Sequence, residues 1–524
     1  MNHLVIVPIV LPLVTAAVLV MFGEHRRRLK SIINVTATSA GLVVALTLLF
    51  HVDAGGTNVY LAANWRAPIG IVLVADRLSV LMLVLTSVIA LCAALYAEAA
   101  WSRVGVYFHA LFQIQLMGLS GAFLTGDLFN LFVFFEVMLS ASYGLHLHGS
   151  GLPRVRTGLH YIAVNLLASS LFLIGLAVLY GVLGTLTMAD IADQLGHVPE
   201  QDRGLLHAGA AILALAFLIK AAVWPLNAWL VPAYGATSAP VAALFAVMTK
   251  VGVYTLLRLW TLLFSEAAGP SLHFGQSFLL YGGLVTLAIG AVGLMTSMRL
   301  DRIPGFAIIV SSGTLLAAVG MGTVSVTSAA LYYLLSATLG VSALFLLVEL
   351  VERIGTSREQ QFHDVVPSED TNLDDAQMPL VGRVFPVSIA LLGVAFMTCA
   401  LLVAGLPPLS GFLAKLGLLQ AITDEMTTAS WLMLALLLLS GFATMITLAR
   451  AGIRALWATG RRTAPEVKGA EVVAVTGLLG ACVVLTIFAE PVTRYLRDTA
   501  AGLHETHTYI RDVMTTKPVG RESP

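Results

Sequence analysis

Charge is scarce in this chain. Of its 524 residues only 11% are Asp, Glu, Lys or Arg, whereas soluble domains carry about 25%. Cysteine is rarer still: Cys92, Cys399 and Cys482 each sit in an apolar run and at no ligand spacing. A disulfide framework is excluded, and no metal or iron–sulfur motif is available. Neither sign of charge prevails, because 29 basic and 29 acidic residues cancel. No overall field draws in nucleic acid, which is not expected as a partner. A P-loop, a GxGxxG turn between strand and helix, an HExxH pair and paired intramembrane histidines are all missing. Nucleotide hydrolysis, dinucleotide binding and haem or metal chemistry therefore lack sequence support, and no cofactor is expected.

What the chain has is oil. Hydrophobic residues make up 58% of it and the mean hydropathy is +0.90, the composition of an integral membrane protein. Runs long enough to cross roughly 30 Å of hydrocarbon lie near 4–22, 31–50, 75–95, 105–124, 127–146, 159–181 and 205–231. Further runs lie near 240–260, 276–297, 303–322, 326–350, 385–422, 429–449 and 470–490. The expected fold is all-α and polytopic, with 14 transmembrane helices. The first run is read as a retained helix, since Arg26, Arg27, Arg28 and Lys30 follow it rather than precede it.

Basic residues then orient the chain. With the loop after the first crossing in the cytoplasm, that side gathers seventeen basic residues, from Arg26 through Arg154, Arg299, Arg353, Arg358, Arg383, Arg461 and Arg462 to Lys468. The opposite loops and helix starts hold three: Arg66, Arg77 and Arg203. This bias places both termini outside the cytoplasm.

Two crossings cannot be single straight helices. One contains LIKAAVWPLNAWLVPAYG (218–235) and the other GLPPLSGFLAKLGLL (405–419). Proline removes a backbone donor and clashes with the preceding turn, so the seventh and twelfth helices should break near mid-membrane and turn freed carbonyls toward a polar cavity. The breaks are five crossings apart, which inverts their direction and suggests two inverted five-helix repeats, helices 4–8 and 9–13. The expected divisions are three N-terminal helices in 1–104, the first repeat in 105–260, the second in 261–449, and a last helix with tail in 450–524. The second repeat includes an acidic cytoplasmic loop at 351–384, and the tail beyond Pro491 is expected to form a short surface helix.

Four ionisable residues fall well inside crossings: Glu136, Lys220, Lys250 and Lys415. A charge at mid-bilayer costs at least about 2.5–3.5 kcal/mol, so each must face the protein interior and find water or a partner. Burial opposes ionisation of a carboxyl and a neighbouring ammonium favours it, so making and breaking a Glu136–Lys220 pair would couple proton binding at the two groups. Lys250 and Lys415 are then further stations. A pair that merely holds helices together is the plainer alternative, weakened because buried ion pairs often stabilise less than apolar replacements. His109, His160 and Tyr143 are candidates for an accessory path, as are Asn165, Ser169, Ser170, Ser311, Ser312 and Thr314, although such a residue alone is more often an interhelical hydrogen-bonding group than a carrier. Asp127 is placed to cap the fifth helix or to admit a cation. Arg258 is placed either to snorkel to the surface or to lie on an exit path.

The stretch TGDLFNLFVFFEVMLSASYG (125–144) closely resembles the fifth-helix segment of the D-type subunits of multisubunit monovalent cation/proton antiporters, the Mrp or Mnh family. KAAVWPLNAWLVPAYGATSAPVAALFAVMTKVGVY (220–254) and GLPPLSGFLAKLGLL resemble the seventh-to-eighth and twelfth helices of the same subunits. The wider family includes the antiporter-like subunits of NADH-quinone oxidoreductase. The resemblance implies a fifth-helix glutamate, Glu136, paired with a seventh-helix lysine, Lys220, with Lys250 and Lys415 at the family's eighth- and twelfth-helix basic positions. It implies a secondary transporter subunit rather than an enzyme, in a bacterial cell membrane, among six or seven kinds of subunit that exchange Na+ for H+. The competing reading is a proton-pumping subunit of a respiratory NADH-quinone oxidoreductase or membrane-bound hydrogenase. A third is a purely structural scaffold within such an assembly.

Overall fold

The computed structural model describes residues 3–23, 26–103, 107–363, 387–457 and 466–518. In chain order its α-helices begin with α1 (Val7–Met21), α2 (Arg27–Gly55), α3 (Arg77–Ala99), α4 (Phe108–Leu124), α5 (Leu128–His146) and α6 (Leu152–Leu183). There follow α7 (Met188–Leu195), α8 (Glu200–Lys220), α9 (Leu230–Ala236), α10 (Ala239–Leu263), α11 (Gln276–Thr296), α12 (Ile303–Met321) and α13 (Val324–His363). The last are α14 (Val387–Ala404), α15 (Ser410–Thr423), α16 (Thr428–Gly452), α17 (Gly469–Ile487), α18 (Ala489–His504) and α19 (Thr506–Thr515).

Twelve of these are long and apolar enough to cross a membrane, while α1 and α4 are apolar but shorter. The protein is thus a polytopic helical membrane protein, and every apolar run read from the sequence holds one of these helices. Most of the acidic loop, together with Arg383, Arg461 and Arg462, lies outside the described residues, as does the side chain of Arg358. The tail forms two helices, α18 and α19, rather than one.

The all-α expectation needs one amendment. Between α2 and α3, β1 (Asn58–Leu61) and β2 (Val72–Ala75) pair antiparallel, Asn58 opposite Ala75 and Leu61 opposite Val72. All four β2 residues are buried, and a buried non-helical backbone must find partners. β1 supplies one edge, and on the other the Gly126 N–H donates to the Val72 carbonyl at 2.9 Å. Runs of four residues carry too little periodicity to be seen against long apolar helices. The hairpin delivers the chain to Asp76, whose carboxylate accepts the Ser79 N–H at 2.9 Å and starts α3.

Both expected breaks are present. α8 ends at Lys220, residues 221–229 turn around Pro225, and α9 begins at Leu230. The freed Ile219 carbonyl accepts the Trp229 indole N–H at 3.3 Å, and the Trp224 N–H donates to the Thr286 hydroxyl at 3.1 Å. At the second break α14 stops at Ala404 and α15 starts at Ser410. Here the Ala404 carbonyl accepts the Lys415 ammonium at 2.7 Å. Neighbouring helices come very close to both breaks through glycine. A Cβ on Gly252 of α10 would lie 2.9 Å from the Phe217 carbonyl oxygen, and one on Gly441 of α16 would lie 3.1 Å from both Ala404 O and Lys415 Nζ. Small residues permit such approach where lipid supplies no hydrophobic drive between helices.

Burial ranks the helices. The spanning window of α10 is wholly covered by protein, against 22% of that of α2 and 28% of that of α17. Lys250 and Arg258 therefore sit on the central helix of the bundle, away from lipid.

Gly411 tests this packing. A Cβ there would fall 1.9 Å from the Leu402 carbonyl oxygen, whereas at Gly417 the nearest atom is 4.0 Å away. Gly411→Ala should destabilise the assembled protein by at least about 1–3 kcal/mol, the range for overpacking. Gly417→Ala should be close to neutral, as read by thermal melting in detergent. Equal melting of the two variants contradicts the geometry of the second break.

Candidate functional site

Lys220 is the last helical residue of α8 and is buried, 6% exposed. Its Nζ donates to Asn165 Oδ1 at 3.1 Å and lies 6.0 Å from the Phe135 ring centroid. Asn165 is itself fixed, its amide donating to the Tyr161 carbonyl at 2.8 Å. Glu136 follows Phe135 on α5 and is near enough for its charge to act on Lys220. Among the described residues, however, no ion pair joins them within 4.0 Å, and Glu136 Oε1 is buried with no hydrogen-bond partner. The structure brings acid and amine together without locking them.

A polar cluster continues from there. Tyr143, two turns beyond Glu136 on α5, has a buried hydroxyl without a protein partner and feels the Glu136 charge. Its ring meets that of Tyr161 edge-on at 5.5 Å. The Tyr161 hydroxyl shares a 2.7 Å hydrogen bond with Ser142. Next, His146 at the end of α5 packs at 5.6 Å on Tyr161 and bonds through Nδ1 to the Thr237 hydroxyl at 2.6 Å. Tyr161, Ser142 and His146 carried no separate signal in the sequence. Helical phase relative to Asn165, one turn after Tyr161 on the same helix, could have marked Tyr161 alone.

Lys250 is 1% exposed and donates to the Ser311 hydroxyl on α12 at 2.8 Å. Ser311 also lines a small cavity with Tyr333, Ser336, Thr444 and Lys415, with room for a water molecule. Lys415 thus faces a cavity that also holds Ser311, the hydrogen-bond partner of Lys250. Buried oxygens of Gln115, Ser169 and Ser312 likewise have no protein partner. Leaving such a group dry costs about 1–3 kcal/mol, so the energetics favour water beside them.

The accessory residues divide. His109 is buried, 6% exposed, its Nδ1 unpartnered, and it lines a cavity with Lys30 and Tyr107. His160 is exposed on α6, so it is its neighbour Tyr161 that enters the cluster. Asp127 caps α5 through the Asn130 N–H at 2.8 Å, and burial pushes its carboxyl above the usual range against the pull of backbone N–H groups. Arg258 does not snorkel: it is 6% exposed and bound to Asp76.

Residues 125–447 match the family model described as "NADH:quinone oxidoreductase/Mrp antiporter, TM". The chain is 48% identical over 535 residues to a probable K(+)/H(+) antiporter D-type subunit of Rhizobium meliloti, covering 100% of this chain and 99% of that protein. It is 32% identical to a Na(+)/H(+) antiporter D-type subunit of Alkalihalophilus pseudofirmus, covering 98% of this chain and 100% of that one. A chain in the structure of the Mrp complex from Dietzia sp. DQ12-45-1b superposes with a TM-score of 0.83 at 26% identity, over 98% of this chain and 100% of the other. With the matched region running from the start of α5 through both breaks into α16, the chain belongs to the NADH:quinone oxidoreductase/Mrp antiporter family.

Proposed function

We propose that this chain is the proton-conducting D-type member of a hetero-oligomeric monovalent cation/proton antiporter, with Glu136, Lys220, Lys250 and Lys415 as its stations. The observation that carries this reading is Glu136: a carboxylate inside the bundle, unpartnered at one oxygen, within electrostatic reach of Lys220 yet unbonded to it. Two unit charges brought to 4 Å at an effective dielectric of 20 gain about 4 kcal/mol. Small movements about the α8–α9 break can therefore bias where protons sit. Lys250 and Lys415 relay through Ser311, which bonds the first and lines a cavity with the second. The two five-helix groups, 105–260 and 261–449, act as the inverted halves of the path. Glycine-mediated approach of α10 and α16 to the corresponding breaks supports that pairing. Both termini lie on the extracytoplasmic side, consistent with the distribution of basic residues.

The relatives' names supply the cation. The 48% identical protein is named for K+ and the 32% identical one for Na+, so both ions belong in the assay. In membranes containing the whole complex, Glu136→Ala and Lys220→Ala should each bring cation-driven proton movement down to the level of membranes lacking it, with assembly intact. Normal exchange by fully assembled Glu136→Ala complex sinks the proposal. Ser311→Ala removes one neutral hydrogen bond, worth about 1 kcal/mol. Exchange should slow about fivefold, and no change in turnover would take Ser311 off the path.

The family description also covers NADH:quinone oxidoreductase, which keeps the redox-complex reading open to a direct test. Purification through a tag on this chain should recover small membrane subunits of an antiporter. Recovery of iron–sulfur redox subunits instead would assign the chain to a respiratory complex.

A further inference from the structure

A cavity of about 400 Å³ lies where α3 begins and α10 ends, walled on one side by α18 and α19. At its base Arg258 grips Asp76 with two 2.6 Å hydrogen bonds, Nη1 to Oδ2 and Nη2 to Oδ1, the side chains 8% and 15% exposed. The Tyr254 and Tyr509 rings flank the guanidinium at 5.7 and 5.4 Å. Burial pushes the Asp76 carboxyl up, but the Arg258 charge and hydrogen bonds outweigh it and hold the group below the usual carboxylate range. Capping α3 needs only a small oxygen-bearing side chain at this position. A buried arginine partner is more than the cap requires, and buried ion pairs are poor stabilisers compared with apolar packing.

The same helix leads inward. Arg258 and Lys250 are eight residues apart on α10, about 12 Å along its axis, and lie on one face with Tyr254, whose hydroxyl donates to the Phe123 carbonyl at 2.7 Å. Beside this stretch is a small apolar cavity lined by Leu78, Met82, Leu257, Leu315 and Leu334. Leu78 lines both cavities, and Leu315 is one turn from Ser311, the Lys250 partner. A solvent-side chamber, an ion pair, an apolar neck and a buried lysine thus follow one another along α10. Apolar necks of this kind conduct only when wetted.

We propose that Asp76 and Arg258 form the outlet of the Lys250 station on the face covered by α18 and α19, the pair keeping the neck shut and Asp76 exchanging protons with the cavity. This rests on the proton path proposed above. When the guanidinium moves off, the Asp76 carboxylate takes a proton from a hydronium ion on the Lys250 side, leaving water, and then yields it to a water of the cavity, which becomes hydronium. Arg258 stays charged throughout, held by the two tyrosine faces, while Arg77, Asp498, Glu505 and Asp512 are the other charged groups of the cavity wall.

The test uses the whole complex in membrane vesicles. Asp76→Asn keeps the helix cap and the side-chain shape while removing the charge. Assembly should be unchanged, the maximal exchange rate should fall about tenfold, and the half-saturating cation concentration should stay within about twofold. Arg258→Lys should retain exchange and Arg258→Gln should lose it. Thr261→Cys, in the cavity wall, should be blocked by a charged, membrane-impermeant methanethiosulfonate added from that face, since Cys92, Cys399 and Cys482 are buried. Wild-type turnover per assembled complex in both Asp76→Asn and Arg258→Gln, or full activity of labelled Thr261→Cys, overturns the outlet. An inactive Lys250→Ala beside a normal Asp76→Asn confines the failure to the outlet. A normal Lys250→Ala means that the path itself has failed.

Discussion

A group that ionises inside hydrocarbon must bring its own polar surroundings, and most of the architecture follows from how this bundle meets that demand. For the three mid-bundle lysines the answer is a neutral partner each time. Lys220 has an amide oxygen, Lys250 a hydroxyl and Lys415 a backbone carbonyl freed by a broken helix. Neutral acceptors satisfy an ammonium and a neutral amine alike, so protons can come and go without stranding a counter-charge. The bundle's ends are built differently. Arg258 is clasped by Asp76 at one end, and Arg353 bridges Glu349 and Glu471 at 2.5 and 2.7 Å at the other. Glu349 also accepts the Trp101 indole and the Ala239 N–H that opens α10. Ion pairs stand at the ends; uncharged partners line the interior.

The broken helices belong to the same solution. An unbroken α14 would bury its last carbonyls in its own ladder, and Lys415 would have nothing to bond. Breaking it exposes the Ala404 carbonyl, and the absence of side chains at Gly405, Gly411 and Gly441 leaves room for the returning chain and the lysine stem. At the first break the Trp229 indole takes up the freed Ile219 carbonyl, which leaves Lys220 to Asn165. Polar accounting at the two breaks therefore differs in detail although both place an amine beside irregular backbone.

The charges were legible in the sequence because an ionisable residue in an apolar run has no cheap explanation, and the breaks were legible because proline cannot propagate a helix. Partners were not. That Lys220 meets Asn165, or Lys250 meets Ser311, depends on helix phase and on which helices pack together, and apolar runs fix neither. His160 and Tyr161 illustrate the point: one residue of phase separates an exposed side chain from a buried one. Arg258 could be read two ways because its partner, Asp76, lies 182 residues away, beyond a hairpin too short to register. What the sequence reported was where charge is costly; what only the fold reports is who shares the cost.

The junction between the two clusters constrains how they communicate. Met248, two residues before Lys250 on α10, accepts weakly from Gln115 at 3.5 Å and from the Tyr161 hydroxyl at 3.7 Å. A thioether has no proton to give, so a side-chain relay from Tyr161 toward Lys250 stops at that sulfur. Transfer between the two clusters must use water or act at a distance. Unit charges about 10 Å apart at an effective dielectric of 20 still interact by about 1.7 kcal/mol, slightly more than a tenfold change in a proton equilibrium. On the proton path proposed above, charge displaced at Glu136 and Lys220 would act on Lys250 in this way, with no proton crossing between them. The spanning window of α10 is wholly covered by protein, so that influence would arrive as a field at a buried amine and would need no movement of the helix.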